Sequence, residues 1–280
     1  MNVSRRIVLV CITALMAVPT LRAQNFKGMS FNGATGLYLI PSAYVGWGGA
    51  SPFGVDVGYH IGITRRPNHV LNANVTVLRW VEVSAALDLQ DDYQYGGFNG
   101  NNNDLTLGTK VQLPVFSAFV LAVGGNFQML NLNNDRNRSE PQWYRRNVDG
   151  FYHAGQIYAA ITYTSNILGM ETDTSIVMGK TFYDPIDSTI DFGIGFDCIL
   201  FPYYLQRIVH GIVEFSNFSY SVSCPPHFSP GRGILNLGVR LDFSALPALS
   251  KGKVTFDALL SDSLDANRSF ALGLALGLPL

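Results

Sequence analysis

The chain has few cysteines, few charges and no apolar run long enough to cross a bilayer as a helix. Only 3 of its 280 residues are cysteine, and charged residues make up 14% although hydrophobic residues make up 48%. Such a cysteine content excludes a disulfide-rich scaffold. A membrane helix needs about 20 consecutive apolar residues, and no run after the N-terminal one at residues 7–18 approaches that length. The apolar residues after the N-terminal run must therefore be placed in the fold in some way other than a membrane-spanning helix.

The first 23 residues have the order of a secretory signal. Arg5 and Arg6 precede the apolar run, and Pro19 and Ala23 follow it. A charged start, a short apolar middle and a small residue at the end are typical of a segment that is cleaved on export. We expect residues 1–23 to be removed; the alternative is a buried N-terminal helix.

The charge that remains is slightly acidic. Three of the 19 basic residues lie in the predicted signal, which leaves 16 against 20 acidic residues. This balance excludes a basic nucleic-acid surface. The cysteines left are Cys198, expected to be a small apolar residue on an outward face, and Cys224, which lies in a Pro-rich loop. A bridge between them is the less favoured interpretation.

Apolar residues after position 50 recur at every second position, which is the period of a β-strand with two different faces. In the first such stretch Val55, Val57 and Tyr59 alternate with Asp56 and Gly58. The twelve predicted strands lie near residues 53–63, 71–77, 81–90, 105–113, 119–129, 157–163, 174–182, 190–197, 209–215, 235–243, 254–260 and 270–280. The seventh is the weakest.

These strands predict an all-β fold, a transmembrane antiparallel β-barrel over residues 51–280. The last strand, F-A-L-G-L-A-L-G-L-P-L, has one wholly apolar face and one face of small residues, as expected where one side meets lipid and the other a lumen. Long connections near 91–103 and 131–150 fall on one side and short turns near 78–80 and 114–116 on the other. Barrels of the outer membrane show this asymmetry, with the long loops outside the cell.

The C-terminal strand also resembles the assembly signal of bacterial outer-membrane β-barrel proteins, which usually ends in Phe. The apolar residues with the matching spacing are Phe270, Leu272, Leu274, Leu276, Leu278 and Leu280. Pro279 and the terminal Leu280 depart from that pattern. The resemblance to this family, in its small porin-like form, implies an outer-membrane location and recognition by the barrel-assembly machinery. Residues 33–44, G-A-T-G-L-Y-L-I-P-S-A-Y, resemble the opening of barrels linked to exopolysaccharide secretion.

Charged residues concentrate on the predicted lumen face, with acids in excess. The acids are Asp56, Glu82, Asp88, Asp191, Asp197, Glu214, Asp242 and Asp257, and the bases are Lys110, Lys180 and Arg240. An acidic lumen of low dielectric constant favours cations. The alternative is a filled lumen in which acids and bases pair without conducting.

Residues 24–50 are too irregular and too rich in glycine for a strand pair, yet they contain Leu37, Ile40 and Trp47, which need shelter from water. We expect this segment to form a plug or gate in the periplasmic mouth, or an additional N-terminal strand. A flexible tether is the alternative, although disordered segments are poor in such residues.

The long connection at 131–150 combines basic and aromatic residues suited to anionic glycans or a host protein: Arg136, Arg138, Trp143, Tyr144, Arg145 and Arg146. Contact with lipid headgroups or folding over the pore are alternatives. The adjacent acids Asp91 and Asp92 read as solvated loop residues rather than as a catalytic pair with His69 or His227. We expect no enzyme activity, no metal site and no cofactor.

The sequence thus predicts a small diffusion channel or solute transporter of the outer membrane that favours cations and contacts lipid, small solutes or ions and the assembly machinery. A non-conducting surface barrel whose loops bind an extracellular partner is the alternative, and a role in exopolysaccharide secretion is a third.

Overall fold

The computed structural model describes residues 28–47, 51–63, 68–91, 101–113, 119–132, 150–183, 190–217, 233–246, 248–249, 251–264 and 269–280. Twelve strands run in chain order: β1 Phe53–Ile63, β2 Asn68–Val77, β3 Val81–Asp91, β4 Asn101–Leu113, β5 Phe119–Leu132, β6 Gly150–Ile167, β7 Met170–Tyr183, β8 Ile190–Ile199, β9 Val209–Ser216, β10 Ile234–Asp242, β11 Lys253–Ser261 and β12 Ser269–Pro279. A 3₁₀ turn, Phe243–Ala245, follows β10. In the described part of the chain, no helix is long and apolar enough to cross a membrane.

Each strand pairs antiparallel with its neighbours in sequence, and β1 pairs with β12 to close the barrel. This seam joins residues 54–63 to residues 270–279 without interruption. Closure leaves no strand with an unpaired edge, which is the condition for a sheet to stand in lipid. The twelve-stranded antiparallel barrel predicted from the alternation is confirmed.

The burial pattern is the reverse of that of a water-soluble protein. The outward side chains of Val57, Leu71 and Ile157 are 51%, 50% and 60% exposed, whereas the inward Asp56 and Glu214 are fully buried. Apolar residues face outward because the surroundings of the wall are acyl chains, and polar residues face inward, where other polar groups satisfy them. The wall is therefore that of a membrane barrel.

The two ends of the barrel differ, as the connection lengths predict. At one end, here called the short-turn end, β2 and β3 are joined through Leu78 and Arg79, both with positive φ (53° and 66°), and β6 and β7 through Leu168 and Gly169 (53° and 80°). Two consecutive positive φ values define the tight hairpin turn whose twist matches that of the strands. The other end, with the longer connections, is called the long-loop end.

Several strands extend beyond the predicted boundaries at the long-loop end. β4 begins at Asn101, and β6 begins at Gly150 instead of near residue 157. Alternating apolar residues mark only the part of a strand that faces lipid. Backbone pairing continues past that part, where outward polar residues break the alternation.

Candidate functional site: the filled lumen

A stretch of 20 residues, 28–47, lies inside the barrel; we call it the plug. Met29, Ile40, Ala43 and Val45 have no exposed surface, and Trp47 has 1%. The plug contains no Asp, Glu, Lys, Arg or His. An uncharged segment thus fills a lumen whose wall carries almost all the charge.

The plug folds on itself by short-range backbone pairing rather than as a regular strand. The Phe31 N–H donates to the Tyr38 carbonyl (2.8 Å) and the Leu37 N–H to the Ile40 carbonyl (3.0 Å). Isolated bridges join Met29 to Thr35 and Gly36 to Pro41. These bonds leave other backbone groups of the plug pointing at the barrel wall, where they require partners.

Glycines on the inner wall make room for the apolar side chains of the plug. A Cβ at Gly54 would lie 2.3 Å from the Trp47 ring, and one at Gly195 would lie 2.2 Å from Leu37 Cδ1. Both distances are too short for carbon atoms in contact, so these two positions require glycine for as long as the plug is in place. The inward glycines seen in the sequence therefore serve close packing.

The centre of the interface between the plug and the barrel wall is an ion pair between Glu82 of β3 and Lys110 of β4. The two charged groups lie 3.1 Å apart, and each side chain is 1% exposed. The Glu82 carboxylate accepts the Thr35 N–H (2.8 Å), the Thr35 hydroxyl (2.5 Å) and the Gly46 N–H (3.0 Å). The Lys110 ammonium donates to the carbonyls of Thr35 (3.0 Å) and Ser42 (3.2 Å). One pair of opposite charges thus binds backbone groups of Thr35, which precedes the turn at Leu37–Ile40, and of Ser42 and Gly46, which follow it.

Glu214 of β9 holds the plug from the opposite wall. Its carboxylate accepts the N–H groups of Tyr38 (3.1 Å) and Leu39 (2.9 Å) and the side-chain amide of Asn236 (2.7 Å). Hydrogen bonds to a charged acceptor are about twice as strong as neutral ones. Glu214 therefore fixes the turn of the plug at Tyr38 and Leu39, next to the inward glycines of β8.

Near the short-turn end, the Trp47 indole N–H donates to Asp56 (2.9 Å). The other carboxylate oxygen of Asp56 accepts from the Lys253 ammonium, also at 2.9 Å. The Trp47 backbone N–H donates to the Thr76 hydroxyl (3.2 Å). The end of the plug is thereby tied to β1, β2 and β11 just before the chain enters β1.

A second charged cluster lies beside the beginning of the plug. Arg240 donates to both oxygens of Asp257 (2.7 and 2.9 Å) and to Asp197 (3.3 Å). Asp197 also contacts His210 Nδ1 at 2.6 Å. A Cβ at Gly28 would lie 2.3 Å from the Arg240 guanidinium. The cluster joins β8, β9, β10 and β11 and packs against the plug backbone at Gly28.

The remaining acids that were predicted to face the lumen do so. Asp191 accepts from Gln156 (3.0 Å) and Thr181 (2.5 Å), both neutral donors. Asp242 accepts the Ser244 N–H (2.9 Å) and begins the 3₁₀ turn. Asp88 is 5% exposed and lies opposite Asp104 on the inner wall near the long-loop end.

The inward placement of Lys180 is wrong. Lys180 is exposed on the outer wall, opposite the outward Ile157 and Ile190, and its ammonium lies 5.5 Å from the Phe182 ring centre. The alternation in β7 is weak because this lysine takes an outward position near the end of the strand. The third buried base is instead Lys253, which follows a turn and resembles a solvated turn residue in the sequence.

Sequence reasoning also missed Asp104 and the buried amides and hydroxyls that bind the plug. The Asn72 amide donates to the carbonyls of Ser30 and Phe31 (2.9 and 3.1 Å), and Gln112 accepts the Val45 N–H (3.0 Å). These residues alternate with apolar residues along their strands, and this alternation indicates that they face the lumen. Only their partners in the plug could not be read from the chain.

The other predicted residues are placed as follows. The outward faces of β12 include Phe270, Leu274, Leu276 and Leu278, all at least 40% exposed, with Leu272 half-buried and Leu280 exposed after the strand. The six basic and aromatic residues of the 131–150 connection, and also Asp92, Cys224 and His227, lie outside the described residues. His69 lies against Tyr59 on the outer wall, and Cys198 is a free, half-buried thiol on an outward position. No three His, Cys, Asp or Glu side chains among the described residues meet in a metal-binding arrangement.

Comparisons with known proteins find barrels. No protein-family model matches the chain, and no curated protein is similar to it in sequence. Among solved structures, the KdgM porin shares 7% identity with a TM-score of 0.49 and covers 80% of this chain and 99% of its own. Omp33 of Acinetobacter baumannii shares 10% identity (TM-score 0.37; 82% and 98% covered), and a deletion mutant of the TodX monoaromatic hydrocarbon channel 6% (0.36; 91% and 98%).

No TM-score among these reaches 0.5, so the fold assignment depends on the strand pairing of this chain itself. A closed barrel of twelve antiparallel strands, an apolar outer wall and a polar interior are the features of a bacterial outer-membrane β-barrel. The chain has the fold of an outer-membrane β-barrel, with the plug filling its lumen.

Proposed function

We propose that the protein is a diffusion channel for small solutes or ions, and that the plug closes it. The observation that carries this proposal is that an uncharged segment occupies the lumen and is held there by charged groups of the wall, chiefly Glu82, Lys110 and Glu214. A barrel filled only for stability could use its own side chains, as eight-stranded barrels do. Twelve strands enclose more space, and here a separate piece of chain fills it.

The distribution of charge supports a plug that can leave. The Glu82–Lys110, Asp56–Lys253 and Arg240–Asp257 pairs all join one barrel strand to another. When the plug leaves, these pairs stay together and water replaces the backbone groups of the plug. Departure of the plug therefore separates none of these charges from its partner. It does expose apolar side chains such as Leu37 and Trp47, which favours the closed state.

The open lumen would favour cations. Nine buried carboxylates line it against three buried bases, Lys110, Arg240 and Lys253. Each base is paired with at least one carboxylate, and Asp191 near the long-loop end accepts hydrogen bonds from neutral donors. A net negative potential in a narrow pore attracts cations and repels anions.

Conductance in planar bilayers tests the proposal. The chain starting at Gln24 should give rare or short current steps, and a version lacking residues 24–47 should give long-lived open steps of larger total current. Both should show the shift in gel mobility on heating that marks a folded barrel. If the folded deletion variant passes no current, the channel assignment is wrong and a non-conducting surface barrel is the better account.

A further inference from the structure

The outer wall carries a groove of about 470 Å³ across β4 to β7. It exists because Gly125 and Gly155 occupy outward positions on the neighbouring strands β5 and β6 and carry no side chain. A Cβ at Gly155 would meet no atom within 4 Å, so the space beside it is open. The sides of the groove are apolar and include Leu107, Phe127, Ile157 and Phe182.

Polar and aromatic groups border this groove toward the long-loop end. His153 stacks on Phe127 with ring centres 5.5 Å apart. Lys180 lies directly across from Ile157, and its ammonium approaches the Phe182 ring to 5.5 Å. Lys180 is directed outward, at the opposite end of the barrel from the Glu171–Arg207 pair of the short-turn end. None of the described carboxylates forms an ion pair with it.

The height of Lys180 on the wall places it at a membrane boundary. It follows Met170, the first residue of β7, by ten positions. At about 3.3 Å per residue and a tilt of about 40°, the rise is roughly 25 Å, which is the height of the apolar band of such barrels. Since long loops lie outside the cell, this boundary belongs to the outer leaflet. A lysine is tolerated there because it can reach the headgroups.

We infer that the groove binds an acyl chain of a phosphorylated lipid of the outer leaflet, with Lys180 contacting the phosphate. The groove accepts the chain where glycine leaves the wall thin, and the cation stands at the level where that lipid has its anionic group. Charge complementarity selects this occupant over a neutral lipid. A second copy of the protein is a poor fit, because a stable protein interface needs about 800 Å² on each partner and this feature is a narrow cleft.

Binding of lipid A, which carries two phosphates, and of its phosphate-free form can be measured by native mass spectrometry of the folded protein in detergent. Lys180→Gln should bind lipid A about fivefold more weakly, as expected for one lysine near a membrane surface, with no change for the phosphate-free form. Gly155→Leu should weaken both forms because it fills the groove. Ala73→Leu, which introduces the same side chain on the outward face of β2, should weaken neither.

Equal affinity of the original protein for the two forms, or no effect of Lys180→Gln on lipid A, would overturn the inference. So would a dimer that forms without lipid and is lost in Gly155→Leu, because the groove would then belong to a protein interface. If Gly155→Leu does not fold, the comparison of Lys180→Gln on the two lipids decides alone. The channel proposal is independent of all these outcomes.

Discussion

Replacing Glu82 by alanine is expected to shift the plug toward its open state. The substitution removes a carboxylate that binds Thr35 twice and Gly46 once and that neutralises Lys110 at 3.1 Å. In the closed state Lys110 would then be a buried charge without this partner. In the open state water would surround it, so the penalty falls on the closed state alone.

The size of the shift follows from these contacts. Removing one partner of a buried ion pair costs about 3–5 kcal/mol, a range that includes part of the lost charge-assisted hydrogen bonds. At 1.4 kcal/mol for each factor of ten, the ratio of closed to open protein should decrease by a factor of roughly one hundred to a few thousand. Glu82→Gln should have a smaller effect, because its carbonyl oxygen can still accept one backbone N–H from the plug.

Two measurements check this prediction. Open probability in planar bilayers should rise in the order original protein, Glu82→Gln, Glu82→Ala, and the deletion of residues 24–47 sets the upper limit. Amide hydrogen exchange within residues 28–47 should accelerate in the same order, whether or not the open lumen conducts. Glu171→Ala is the matched control, since it breaks a half-exposed pair with Arg207 (2.9 Å) at the short-turn end that includes no residue of the plug.

The reasoning would be refuted by a folded Glu82→Ala protein with unchanged exchange in the plug and unchanged open probability. Such a result would mean that Glu214 and the apolar contacts hold the segment without help from Glu82. A large effect of Glu171→Ala would also count against it, because the change would then reflect loosening of the whole barrel.

Three further predictions concern selectivity, orientation and the lipid face. Asp191→Asn in the deletion variant should lower the cation preference seen in the KCl reversal potential, since this acid has neutral donors; an unchanged potential would remove it from the conduction path. An epitope tag after Asn137 should be detected on intact cells and one after Leu168, in a short turn and 92% exposed, should not; the opposite result would invert the topology. Leu274→Arg, outward and near mid-height, should cost about 2–4 kcal/mol and reduce heat-modifiable, membrane-inserted protein, whereas Leu274→Met should not.

The strands could be predicted because lipid imposes a simple rule on them. Every second residue of a lipid-facing strand must be apolar. The alternation at Val55 and Val57 therefore predicts β1, and the alternation at Leu274 and Leu276 predicts β12. The rule fails at the strand ends, where the wall leaves the acyl chains. It also misplaced Lys180, because a lysine at the boundary can face outward without a large penalty.

The path of the plug could not be predicted, because its fold depends on contacts between distant parts of the chain. The Tyr38 N–H meets a carboxylate 176 positions later, at Glu214. Nothing in the local pattern of residues 28–47 specifies that partner. The sequence does show two features that make the packing of the plug possible. One is an apolar segment without charge, and the other is an inner wall with small residues at Gly54, Gly193 and Gly195.

Placing every charge on the barrel and none on the plug has a physical consequence for opening. A charged plug would have to separate ion pairs in a medium of low dielectric constant, which is costly. On opening, this plug would exchange hydrogen bonds with Glu82, Lys110 and Glu214 for hydrogen bonds with water, and no ion pair of the wall would have to separate. Opening would also expose Leu37, Ile40 and Trp47, which are buried in the closed state. A partner or membrane surface that shelters these three side chains would favour the open state.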